Sequence, residues 1–100
     1  MGCGDEMKYD FFGDAGHGWL KVSKAELRRL GIANRISGCS YQKGEFAFLE
    51  EDCDLETFFT AKSRVEEEVE FIEHITNDSP IRGYERYRCP NNAVRSAGLL

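Results

Sequence analysis

The segment Gly13–Leu27, GDAGHGWLKVSKAEL, constrains the fold more than any other stretch. Gly13, Gly16 and Gly18 let the backbone take positive φ values that other residues avoid, which marks a turn over residues 13–18. Before the turn, Tyr9 and Phe11 alternate with Lys8 and Asp10, the pattern of a short strand over residues 8–12. After it, Trp19–Val22 reads as a second strand returning antiparallel to the first. Ser23 and Glu26 then form a capping box, with Val22 and Leu27 at the staple positions and Gly31 at the stop. This predicts a helix of about two turns from Ser23 to Leu30. A hairpin running straight into a capped helix commits the chain to mixed α and β structure.

The rest of the chain repeats the theme. Residues 32–38 connect, with Ile36 inward. Cys39–Gln42 and Glu45–Glu50 flank Lys43-Gly44, which predicts a second hairpin. Phe46 and Phe48 share one face of it; Glu45, Ala47 and Leu49 share the other. Asp52 or Asp54 caps a second helix, in which Leu55, Phe58, Phe59, Lys62 and Val65 recur at helical spacing. Lys62 is expected to bury its stem and keep its charge in water. After a turn near Ser63–Val65, EEEVEFIEHI alternates: Val69, Phe71 and Ile75 share one face, and Glu66, Glu68, Glu70 and His74 the other. This predicts a half-exposed strand over residues 66–75. Asn77–Pro80 is a loop, and Ile81–Arg88 a last short strand or an extended arm.

The order is ββ-α-ββ-α-β and the class α+β: an antiparallel sheet of four to five strands with two helices on one face. One domain spans residues 8–88, with residues 1–7 a disordered extension and residues 89–100 a loose tail. With 100 residues, such a domain has one core and little area for a deep substrate cavity. No apolar run reaches the ~18 residues of a spanning helix, and no signal-peptide pattern opens the chain, so a cytoplasmic location is expected. The start Met-Gly-Cys is reminiscent of dual lipidation, but Glu6 stands where the pattern wants Ser or Thr. Cys3, Cys39, Cys53 and Cys89 show no CxxC spacing. Free thiols are therefore expected, with Cys39 and Cys53 as small core or half-buried side chains, and neither a zinc site nor any cofactor is predicted.

Charge is the clearest functional signal. Between Glu45 and Glu73 lie eleven acids against Lys62 and Arg64, a net of −9 in a chain whose total is −5. The remaining residues therefore carry +4. Such a split creates a steering field. On one strand face Glu66, Glu68 and Glu70 would be spaced by roughly 6.8 Å, similar to successive phosphates of a nucleic-acid strand. With Glu50, Glu51 and Asp52 they form the candidate binding surface. The alternative reading of such a surface is a solvated face kept charged against aggregation. Opposite in sign, IRGYERYR interleaves Arg82, Arg86 and Arg88 with Tyr84 and Tyr87, which suits phosphate contact, a protein interface, or docking on the chain's own acidic strand. The net −5 argues against direct nucleic-acid binding.

Asp14, His17 and Trp19 admit two readings. In the first, the glycines make the turn, Trp19 plugs the core and His17 is a solvated turn residue. In the second, Asp14 and His17 form a small acid–base or metal-dependent site with Glu50–Asp52. The potential ligands Asp14, His17, Glu51, Asp52 and His74 follow no metal-site spacing, and no phosphate loop or Ser-His-Asp context is present.

The stretch DFFGDAGHGWLKVSKAELRRLGIANRISGCSYQKGEFAFLEEDCD, followed by SPIRGYERY, resembles a group of small phage- and prophage-encoded proteins sharing an HGWL, SYQ-[KR]-G and LEEDCD pattern over roughly residues 10–87. The resemblance implies a viral or mobile-element accessory protein and carries over no catalytic residue. Together with the acidic row it leads to the expectation of a non-enzymatic protein that binds and inhibits a host protein, an anti-CRISPR-like inhibitor of a defence nuclease or other nucleic-acid-handling complex. A homodimer through the edge strand is a further expectation.

Overall fold

The computed structural model describes residues 8–76 and 79–89. The predicted extension over residues 1–7, Asn77, Asp78 and most of the predicted tail lie outside them. The first hairpin pairs β1 (Lys8–Asp14) with β2 (His17–Ser23) and is tighter than the glycine spacing predicts. Asp14 lies directly opposite His17, and only Ala15 and Gly16 turn the chain, with Gly16 at φ 93°. Next come α1 (Lys24–Arg29), a 3-10 turn at Ala33–Arg35, and the hairpin β3 (Tyr41–Lys43) and β4 (Phe46–Glu50), with Gly44 at φ 60°. Helix α2 (Leu55–Arg64) leads to β5 (Glu70–Ile75), and a 3-10 turn at Pro80–Gly83 to β6 (Glu85–Arg86).

The fold is α+β, but its sheet is not the antiparallel four- to five-stranded one expected. Among the described residues it has six strands in the order β5-β1-β2-β4-β3-β6, and β5 runs parallel to β1. The cause is directional. Both β1 and β4 are antiparallel to β2, so they point the same way. Helix α2 returns the chain across the sheet, and a strand entered through a helical crossover runs parallel to the one that left. The open side of β1 receives it.

Strand alternation sorts two apolar layers. Leu20, Val22, Ala47 and Leu49 pack with Leu27 of α1 and with Leu55, Phe58 and Ala61 of α2, so both helices cover one face, as expected. Trp19 and Phe48 face the other way and are covered by Ile81, with Phe12, Tyr41 and Tyr84 at the margins. The C-terminal arm therefore serves as the second layer. Tyr87 then turns back into the helix-side core, where its hydroxyl donates to the Ala33 carbonyl at 2.7 Å, and Cys89 is buried there too.

Two local expectations are corrected. Ser23 Oγ accepts from the Glu26 N–H at 3.0 Å, but Glu26 does not close the capping box in return. Its carboxylate accepts from Lys62 Nζ at 2.9 Å, from the Tyr9 hydroxyl at 2.9 Å and from Arg29. Lys62 does not keep its ammonium in water either: the side chain is 1% exposed, and Nζ also donates to Glu67 at 2.7 Å and to the Tyr9 oxygen at 2.7 Å. A buried cation draws the nearest carboxylates more strongly than a backbone N–H does.

Candidate functional site

Two surfaces hold the residues singled out by sequence, and they lie apart. The first is a cavity of about 450 Å³ on the sheet face away from the helices, lined by His17, Trp19, Cys39, Tyr41, Glu50, Asp52, Cys53, Arg82 and Arg86. Register explains the gathering: Trp19 stands opposite Glu50, and Tyr41 lies between Phe48 and Arg86. His17 Nδ1 lies 3.2 Å from Glu50 Oε2, while Glu50 Oε1 accepts from the Asp52 N–H at 2.8 Å and the Cys53 N–H at 3.1 Å. Glu50 is thus buried and fully engaged, a tether for the turn after β4 and an orienting partner for His17 rather than a free surface acid.

Asp14 is not the partner of His17. Its carboxylate accepts from Arg82 Nε and Nη2, both at 2.9 Å, and that guanidinium holds its pKa below the usual carboxylate value. Arg82 lies over the Trp19 ring, and Arg86 lies over Tyr41 while donating to the Gly38 carbonyl at 2.9 Å. Arg88 pairs with Glu85. Tyr84 packs against Phe48 beneath Lys43. Tyr87, a candidate binding residue by sequence, is buried. The arm thus packs its tyrosines on the protein's own sheet, while Arg82, Arg86 and Arg88 stay exposed.

Cys39 and Cys53, expected to be buried or half-buried, are both exposed, at the wall of this cavity. The Cys53 thiol is pushed up to about 12, first by the Cys39 thiol beside it. A nucleophilic cysteine needs the opposite shift, so Cys53 at rest is not primed for attack. Among the described residues no three His, Cys, Asp or Glu side chains converge as metal ligands.

The second surface is the acidic edge. Glu66, Glu68 and Glu70 do not form the predicted row on one strand face, because β5 begins only at Glu70. Glu66 sits in the turn after α2 at φ 60°, and Glu67 is drawn down to Arg29 and Lys62, which takes the chain out of strand geometry until the half-buried Val69 is anchored on the core. Glu66, Glu68, Glu70 and Glu73 are nevertheless exposed. Glu51 and Asp52 are exposed as well, but at the other end of the sheet: the Glu51 N–H donates to Gly18, opposite Gly13, whereas Glu70 lies opposite Lys8. Five strand residues separate these levels, roughly 17 Å.

β5 is an outer strand whose six residues are all exposed. Among its acids stand Phe71 (41% exposed), Ile72 (47%) and Ile75 (73%). Phe59 of α2 is also exposed and stacks on Phe71 at 5.7 Å between ring centres. Sequence alternation placed Phe71 and Ile75 on an inward face. Alternation alone does not reveal their exposure, because nothing local shows that no strand among the described residues pairs on the outer side of β5. The arm, strand β6, pairs at the opposite edge of the sheet, so it leaves these acids uncovered. No helix among the described residues is long and apolar enough to cross a membrane. Compared with protein-family models, curated proteins and solved structures, the chain matches none.

Proposed function

We propose that this chain is a non-enzymatic accessory protein that binds a basic host protein along β5, in keeping with its resemblance to small phage-encoded proteins, and so inhibits a nucleic-acid-handling or defence complex. The observation that carries the reading is the outer strand: among the described residues β5 pairs with β1 alone, and it presents exposed Phe71, Ile72 and Ile75 with the flanking carboxylates of Glu66, Glu68, Glu70 and Glu73. Backbone pairing and apolar contact supply affinity. The carboxylates select a positively charged partner and speed its approach. They also oppose pairing with a second copy, which would bring two acidic strands together.

The test is affinity capture from a bacterial host lysate at low and high salt, with wild type beside the Glu66→Lys, Glu68→Lys, Glu70→Lys triple variant and an Ile72→Lys variant. The expected result is a basic host protein retained by wild type, lost in both variants and weakened by salt. Capture that ignores salt and survives both variants refutes the reading. A second reading, a small acid–base site, rests on the 3.2 Å approach of His17 to Glu50. His17→Ala separates the two: partner capture survives it if β5 is the interface and fails if the cavity is.

A further inference from the structure

Cys39 and Cys53 come from separate loops, one before β3 and one between β4 and α2, and a single buried carboxylate fastens those loops together. Asp54, 2% exposed, accepts from the Ser37 N–H at 3.0 Å, the Ser37 hydroxyl at 2.9 Å and the Ser40 hydroxyl at 2.5 Å. Ser40 Oγ in turn accepts from the Glu50 N–H at 2.9 Å, and the Cys39 N–H donates to Ser37 Oγ at 3.1 Å. The clamp brings two exposed thiols to the same wall of the cavity. Asp54 is the N-cap residue of α2, yet its side chain caps nothing there, because this clamp takes it.

We propose that Cys39 and Cys53 are a redox-active dithiol, closing to an intramolecular disulfide when a small-molecule disulfide of the glutathione type reaches the cavity. A disulfide needs its two backbones within a narrow distance range, and the Asp54 clamp holds the two cysteine-bearing loops side by side before oxidation. The Cys39 thiolate attacks one sulfur of the reagent, whose S–S bond breaks and releases one thiolate. Cys53, held protonated chiefly by the Cys39 sulfur, loses that influence once Cys39 is capped. Its proton passes to solvent, its sulfur attacks that of Cys39, and the second thiolate of the reagent departs. Two protein thiols have given up two electrons and two protons, and the reagent leaves as two thiols. This inference is independent of the β5 interface.

The experiment treats the reduced full chain with oxidised glutathione and maps its peptides by mass spectrometry, with a maleimide count of accessible thiols. Wild type should yield a Cys39–Cys53 linked peptide, lose two accessible thiols and recover both on reduction. Cys39→Ser and Cys53→Ser should each stop at a glutathione adduct on the remaining cysteine. Both substitutions are at exposed positions, so folding is preserved. The inference is overturned if wild type carries separate adducts on Cys39 and Cys53, links either to Cys3 or Cys89, or leaves both unreacted.

Discussion

Replacing Lys62 by Met tests the buried network between α1, α2 and β1. Methionine keeps most of the stem's volume and removes the ammonium, which lies 2.7 Å from Glu67 and 2.9 Å from Glu26. Removing one partner of a buried ion pair destabilises by about 3–5 kcal/mol. Arg29 remains beside both carboxylates, at 3.0 Å from Glu26 and 2.8 Å from Glu67, so the loss falls at the low end, about 3 kcal/mol. A domain of this size has about 4–12 kcal/mol in total. Urea denaturation at neutral pH, followed by the fluorescence of Trp19, should show a midpoint lower by about 2 M with an unchanged slope. The pH dependence follows from Glu26, whose pKa falls from 4.5 to about 2: burial opposes the shift, and Arg29, Lys62 and Tyr9 outweigh it. A depressed carboxylate stabilises above its ordinary pKa and loses that contribution as pH falls through the folded value. The gap between wild type and Lys62→Met should therefore be full at pH 7 and narrow between pH 4.5 and 2. A loss below about 1 kcal/mol at neutral pH, or a gap that widens in acid, refutes the reasoning.

Asp54→Ala removes the clamp and leaves two serine hydroxyls without their acceptor; a loss of about 2–3 kcal/mol and faster amide exchange over residues 37–40 should appear together in urea and hydrogen-exchange measurements. Gly18→Ala places a methyl 2.3 Å from the Phe11 ring and 2.5 Å from a Glu51 oxygen, so thermal unfolding should show about 1–3 kcal/mol of destabilisation. Replacing Glu70 and Glu73 together by Val removes charges from an already apolar outer strand, and sedimentation should then show self-association that grows with concentration.

Local signals in the chain settled its elements. Ser23 and Gly31 bound the first helix, Gly16 and Gly44 turn the two hairpins, and the alternation at residues 46–49 divides Phe48 from Ala47 and Leu49, because each depends on neighbours a few positions away. The concentration of acids after Glu45 was equally plain in the sequence. Tertiary structure alone decided the rest. It laid β5 parallel beside β1, turned Tyr87 inward, gave Asp14 to Arg82 rather than His17, buried the Lys62 charge and brought Cys39 and Cys53 to one cavity wall. All of these are contacts between residues distant in the chain. Periodicity and spacing report only which face a side chain occupies, whereas burial, pairing and charge neutralisation depend on what arrives from elsewhere to cover that face.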